Sequence, residues 1–368
     1  MRRLLAMPWL ATLLVGCSHA PPADFVPDPG LVSQIRDIRI ITGYGRVCPG
    51  AVIPTNYEAV LADGARVPFA RSYDKKHPPR LHVVFLDRES ADAVSQEDGD
   101  WVTNGNALET VTTGFRLSAT LRAKPSATNT VVVPPDYSCM RHSFSFWGEQ
   151  GGVGQPGGNG PDVTIRLAAV RSPFYDKLYV AGFQVGMAPP FYVLGDPTSV
   201  APADWLIVES RGGRGGAGIP GANGTDGAAG AAGCPPQPGA PGGNGGTGGP
   251  GASGGRGGRI TVVVPVDQPL LAGLVEGRSP GGAGGAGGAG GTGGRAGKGG
   301  KGQTDQSNRR CPDAADGPQG RAGGTGPAGG EGAPGPRSIV VTAPTRDIFG
   351  VQVPPGLGGL LERLQRRP

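Results

Sequence analysis

Gly242-Gly243-Asn244-Gly245-Gly246-Thr247-Gly248-Gly249-Pro250-Gly251-Ala252-Ser253-Gly254-Gly255-Arg256-Gly257-Gly258 carries glycine at every third position without a miss. Outward from it, the period runs over residues 212–257 with a single break at Pro236. It changes phase and resumes over 282–300 and 317–335, and a shorter run over 148–160 keeps it too. Forty-seven of the 127 residues between 211 and 337 are Gly. A flexible linker has no reason to hold phase over 46 residues. A period of three is that of the polyproline II helix, which then has one all-glycine face.

Two ordered structures use this period: a collagen triple helix, or a bundle of polyproline II helices within one chain. Collagen needs one glycine per triplet, whereas many triplets here are Gly-Gly-x, such as Gly245-Gly246-Thr247. A second glycine raises the entropic cost of ordering, so it must serve packing, by giving a helix a second bare face. That favours the bundle. The runs 212–233, 239–258, 281–302 and 317–336 contain 22, 20, 22 and 20 residues, the matched lengths that two packed hairpins require. At about 3.1 Å per residue each spans roughly 60–70 Å. Strands are expected at one end, at 205–208, 260–266, 270–275 and 339–342. The turns at 234–238 and 303–316 then share the far end, and each holds one cysteine, which predicts a Cys234–Cys311 disulfide. The loop 303–316 is long and polar, and Asn308, Arg309 and Arg310 are its candidate binding residues for sugar or acidic groups.

Residues 31–147 read differently. Apolar or alternating segments at 35–41, 57–61, 81–86, 115–121, 130–133 and 144–147 are separated by turn signals, which suits a small β-sandwich. Cys48 and Cys139 would tie it across about ninety residues. The fold class is therefore mainly β: a sandwich-like domain at 31–147, strands with a short Gly-rich loop at 148–210, a β base carrying about four long polyproline II helices at 211–343, and a tail at 344–368. In that tail Leu357, Leu360, Leu361 and Leu364 form one face of a short helix, with Arg363, Arg366 and Arg367 towards its end.

The first sixteen residues read as a processing signal: Arg2 and Arg3, then an apolar stretch over 4–15 too short to span a bilayer. Leu14-Val15-Gly16-Cys17 resembles the bacterial lipobox. The resemblance implies cleavage before Cys17, acylation there, and stable anchoring. Ser18 after the cysteine implies the outer membrane, and the Pro-rich residues 17–30 a tether. An even cysteine number after Cys17 fits an exported, oxidised chain.

Residues 242–274 are similar to the glycine-rich amino-terminal domain of Obg-type GTPases. The similarity rests on Gly254-Gly255-Arg256-Gly257-Gly258, then Arg259-Ile260-Thr261-Val262-Val263-Val264, then Leu270, Leu271 and Leu274. It implies a β structure from which polyproline II helices protrude, and Arg259 departs from the usual Asp. No GTPase domain accompanies it: Gly297-Lys298-Gly299 lacks the P-loop Ser or Thr. Glycine-rich phage adhesins, which bind through bundle-tip loops, and small antifreeze proteins look similar in the glycine period.

Other patterns point nowhere specific. Gly251-Ala252-Ser253-Gly254-Gly255 fits a nucleophile elbow but lies inside the repeat, without a strand–turn–helix context. Gly157-Gly158-Asn159-Gly160-Pro161-Asp162 begins like a calcium nonapeptide without tandem copies. Asp92, Glu97, Asp98 and Asp100 read as an acidic surface loop, and His77, His82 and His142 lack partners at telling distance. No cofactor or metal is expected. A net charge of +5, with basic residues spread out and no aromatics among the glycines, argues against nucleic acid. The expected function is that of a non-enzymatic cell-envelope lipoprotein, structural or adhesive, monomeric, held to the membrane by its lipid and meeting a surface glycan or envelope protein. A collagen-like trimeric stalk and an envelope-polymer hydrolase are the alternatives.

Overall fold

The computed structural model describes residues 21–199, 205–350 and 353–365. The chain is mainly β, with 29% of residues in strands against 7% in helices. It divides into two compact units: residues 1–139 with two short later pieces, and most of residues 140–368. Cys17 and the expected acylation lie outside the described residues, as do Arg366 and Arg367.

The first unit contains β1 (Ile35–Thr42), β2 (Val52–Ile53), β3 (Thr55–Leu61), β4 (Arg66–Pro68), β5 (Leu86–Glu89), β6 (Ala93–Ser95), β7 (Trp101–Thr103), β8 (Phe115–Leu121) and β9 (Thr128–Val133). They form three three-stranded sheets, ordered β1-β3-β4, β2-β7-β6 and β5-β8-β9. β3 and β8 show the alternation that marks strands with one buried face, burying Tyr57, Ala59 and Leu61, and Phe115, Leu117, Ala119 and Leu121. The expected strand at 81–86 is instead a 3₁₀ turn over Val83–Phe85 followed by β5, because the His82 ring accepts the Val84 N–H and starts the turn. The expected tether ends early: Phe25 packs its ring against Tyr73 and Phe85, and a helix, α1, begins at Pro29 behind the Asp28 cap. Cys48 and Cys139 are joined, with Cα atoms 6.3 Å apart.

The second unit begins earlier than the sequence suggested. Strand β10 (Ser143–Trp147), expected to close the first domain, pairs in parallel with β14 (Leu206–Arg211) in the second. Between them run β11 (Val163–Val170), β12 (Leu178–Val185) and β13 (Phe191–Gly195); after them come β15 (Ile260–Pro265), β16 (Val275–Arg278) and β17 (Ile339–Ala343). One sheet is ordered β10-β14-β16, the other β13-β12-β11-β15-β17. Residues from both bury one cluster, including Trp205, Leu206 and Val208 with Phe183, Ile260 and Val262. Of residues 270–275, expected as a strand, all but Val275 lie in a 3₁₀ helix over Pro269–Leu274 that Pro269 opens, which puts Leu271 and Leu274 into that cluster.

Every strand of β10-β14-β16 runs into a glycine segment, and β11, β15 and β17 each receive one back. The outgoing segments are 148–154, 212–233 and 281–302; the returning ones are 155–161, 237–258 and 314–335. Backbone N–H groups at three-residue intervals join them. Gly212, Gly215 and onward to Gly233 donate to the carbonyls of Pro280 to Lys301 at 2.8–3.1 Å. Gly282 to Gly300 donate in the same steps to Gly255 down to Gln237, and Gly258 down to Gln237 to Ser210 up to Ala231. The segment 314–335 joins 281–302 and 237–258 by the same rule. The short 148–160 run, expected to be a loop, is part of the array: Gly151 donates to Arg214 and Gly157 to Ser253. The array thus has six segments, two of them short, where the sequence suggested about four.

Such closeness leaves no room for Cβ atoms at the glycines of the strict period, and on 212–233 and 281–302 second glycines occur where a second neighbour presses. On 212–233 a methyl at Gly213 or Gly216 would overlap the Glu149 or Gly152 carbonyl of the short hairpin. Beyond that hairpin the equivalent positions hold Ile219, Ala222, Thr225 and Ala228. The segment 281–302 is flanked along its length, and methyls at Gly281, Gly284 and Gly287 would overlap the carbonyls of Gly332, Gly329 and Gly326. On 314–335 the outer positions carry Pro318, Arg321, Pro327 and Ala333, and Gly324 and Gly330 face open space. Outward N–H groups are handled separately. Asn223, Asp226, Asn244, Asp313 and Asp316 side chains accept from Thr292, Arg295, Arg321, Gly302 and Gly299 at 2.7–2.9 Å.

Alanine at Gly288, whose Cβ would overlap the Ile219 carbonyl, should therefore cost about 3 kcal/mol, the upper range for overpacking. Alanine at Gly324, with nothing within 4 Å, should be neutral or stabilise by up to about 1 kcal/mol. Thermal melts of the two variants check the contrast, and equal losses would refute the packing rule.

Candidate functional site

At the end of the array away from the sheets, the turn after 212–233 meets the turn after 281–302. Gly233 and Gly302 pair in parallel, Gln303 donates to the Gly233 carbonyl at 2.9 Å, and Cys234 is bonded to Cys311, with Cα atoms 5.5 Å apart. The loop 303–316 folds on Asp305, whose carboxylate accepts from Ser307 N at 2.8 Å and Arg309 N at 3.0 Å. Asn308 takes the left-handed turn, at φ 64°, a conformation that its short polar side chain tolerates. The three candidate binding residues thus have separate circumstances. Asn308 shapes the turn, Arg309 reaches back to Asp305 at 3.4 Å, and Arg310 bridges by its backbone to Thr304.

Around them, Lys298 and Asp316 pair at 2.9 Å and Lys301 and Asp313 at 2.7 Å. Hydrogen bonds from Lys301 and Gly302 hold the Asp313 carboxyl below its usual range; those from Gly299 and Lys298 do the same for Asp316. The Asp313 hydrogen bond raises Lys301 in turn. These exposed pairs fix the register of the last two segments more than they add stability.

In the first unit a groove of about 900 Å³ is lined by Arg71, His82, Arg88, Gln96, Asp98, Asp100 and Arg122, among others. The acidic residues read from the sequence as a surface loop brace it: Asp100 pairs with Arg71 and accepts the Thr55 N–H at 2.9 Å, while Asp98 lies 3.9 Å from Arg71. Arg88 donates to the Gln96 carbonyl at 2.6 Å. Beneath lie Tyr57 and Trp101, the indole N–H donating to the phenol oxygen at 2.8 Å and the phenol to the Gly99 carbonyl at 2.9 Å. Burial raises the Tyr57 phenol above its usual value.

Asn159 and Asp162, the start of the calcium-like pattern, accept the backbone N–H groups of Arg256 and Arg259, each at 3.1 Å. Ser253 lies within a glycine segment, its carbonyl accepting from Gly157. Leu357, Leu360 and Leu361 are buried, on a helix, α2, over Pro355–Gln365. Sequence reading missed the array's side-chain acceptors. The signal was present, since Asn and Asp recur among glycine triplets, but the offset to the partner backbone is visible only once the segments pair. No protein family, curated protein or solved structure matches the chain.

His82 and His142 are both buried enough to lower their pKa by desolvation, His82 against a smaller raising contribution from a backbone hydrogen bond at Arg71. His82 Nε2 and both ring nitrogens of His142 find no hydrogen-bond partner among the described residues. A neutral buried imidazole stabilises the fold fully above the unfolded value of about 6.5 and progressively less below it. The melting midpoint should fall as pH drops from 7.5 to 5, and His142→Phe should reduce that slope. A variant with the wild-type slope would rule out His142 as a source. Asp313 and Asp316 act in a lower window, their contribution being lost only as pH falls below about 4.

Proposed function

We propose that the chain is a cell-envelope lipoprotein of structural or adhesive function, anchored through acylated Cys17, in the outer membrane. The first unit is a sandwich-like β-domain. The second is a β base carrying a rigid bundle of polyproline II helices, whose tip the Cys234–Cys311 bond clamps. The observation that carries this reading is the unbroken three-residue ladder between glycine segments. It makes a stiff spacer without a hydrophobic interior, suited to holding the loop 303–316 away from its base. There Asn308, Arg309 and Arg310 meet the partner, a surface glycan or an envelope protein. Arg310 is the residue of the three best placed to reach outward.

Intrachain closure of the ladder favours a monomer over the collagen-like trimer. Expression with labelled palmitate should mark the wild-type chain and leave Cys17→Ala unlabelled. Sedimentation of Cys17→Ala should give a monomer. A labelled Cys17→Ala chain would end the anchoring proposal, and a trimeric mass would end the single-chain bundle. Surface binding unchanged by joint Arg309→Ala and Arg310→Ala would count against the tip.

A further inference from the structure

The outward face of the sheet β10-β14-β16 carries an unusual row of side chains. Trp147 is 63% exposed, although aromatic side chains of its size usually bury most of their surface. It pairs in register with Arg211, whose guanidinium lies 5.1 Å from the ring centroid. Glu209 grips Arg211 at 2.6 Å. In the next strand Arg278 stands opposite Glu209 and is gripped in turn by Glu276 at 2.7 Å. Beside them opens a cleft of about 520 Å³, lined by Arg211, Arg278, Pro280, Pro334, Pro336 and Arg337, among others.

Each feature restricts what the row can hold. A carboxylate at the side of a guanidinium orients its fork and leaves other N–H donors for an incoming anion. Arg337, across the cleft, has no carboxylate partner among the described residues, so the cleft presents more cationic than anionic groups. The row spans three strands, about 10 Å at the usual strand spacing. Glu209 and Glu276 alternate with the arginines, so acceptors for hydroxyl groups sit between donors for acid groups. An indole face adds a flat apolar platform with no polar demand of its own.

We propose that this strip and cleft bind an acidic polysaccharide. One sugar ring lies against the free face of Trp147, hydroxyls donate to Glu209 and Glu276, and carboxylates are held by Arg278 and Arg337. A single-stranded nucleic acid fits worse. It calls for successive aromatic platforms, and the two glutamates would repel its closely spaced phosphates. The site is separate from the tip loop and does not depend on lipid anchoring.

The test uses the full chain in detergent with polygalacturonate, neutral dextran and a single-stranded DNA oligonucleotide as probes. In a Trp9→Phe background, and with Trp101 and Trp205 buried, ligand-dependent change in indole fluorescence reports chiefly on Trp147. Polygalacturonate should change that fluorescence and bind at least tenfold more tightly than dextran. Trp147→Ala should abolish the optical change. Arg278→Ala with Arg337→Ala should weaken binding about tenfold or more, with an unchanged melting midpoint showing that the fold is intact. Arg309→Ala with Arg310→Ala should leave this binding as it is, whatever it does to surface attachment. Failure of polygalacturonate to bind, equal binding by the cleft variants, or tighter binding of DNA would each overturn the proposal.

Discussion

The second unit depends on one contact: a backbone N–H meeting a carbonyl on a neighbouring segment so closely that no Cβ fits between. In a sheet, that bond joins strands about 4.8 Å apart and leaves side chains to pack above and below. Here the bonds recur every third residue and turn around the segment, so one segment serves two or three neighbours. The segment 237–258 donates to 212–233 on one side and to 314–335 on the other, and accepts from 281–302. The remaining N–H of each triplet points outward. Proline removes it at Pro238, Pro241 and Pro250, and Asn or Asp carried on an adjacent segment covers it at Arg256, Thr292, Arg295 and Arg321.

Such an array begins at a disadvantage, because glycine loses more conformational freedom on ordering than any other residue. The two cystine bridges reduce the freedom of the unfolded chain instead of adding contacts. Cys234–Cys311 spans 77 residues and Cys48–Cys139 spans 91, each worth about 4–5 kcal/mol in the chain-entropy treatment. The first fixes both far turns at once. The sheets fix the opposite end, where Trp205, Leu206, Ile260 and Val262 supply apolar burial that the glycine segments lack. Each of the four long segments is thus held at both ends by something other than itself.

The glycine period announced this arrangement because a missing side chain is as legible as a hydrophobic one. Matched run lengths and one cysteine per turn are enough to place Cys234 opposite Cys311. The short run 148–160 was harder: its partner stretches are marked by Gly213, Gly216, Gly255 and Gly258, second glycines whose meaning depends on what lies beside them. Residues 270–275 misled because Leu-Leu-Ala-Gly-Leu reads equally well as strand or tight helix, and Pro269 decided the matter. The boundary near residue 140 was obscured because Ser-Phe-Ser-Phe-Trp alternates like any edge strand, and alternation does not name the partner. At the tip, Arg309 looked free in sequence, yet Asp305 four residues earlier takes it up. The Trp147 row was invisible, since Arg211 and Arg278 come together with Trp147 only through parallel pairing of strands more than sixty residues apart.

The alternation along 282–300 of one buried residue in three, always glycine, means that the array hides amides and almost no hydrocarbon. Exposing apolar surface raises the heat capacity of unfolding, whereas exposing polar surface lowers it. The array therefore adds little to that quantity for its size, and its stability curve is flatter than that of a core-built domain. Such a structure loses little of its driving force in the cold, where water's grip on hydrocarbon weakens an ordinary core. An array held together by its main chain stays folded over a wide span of temperatures.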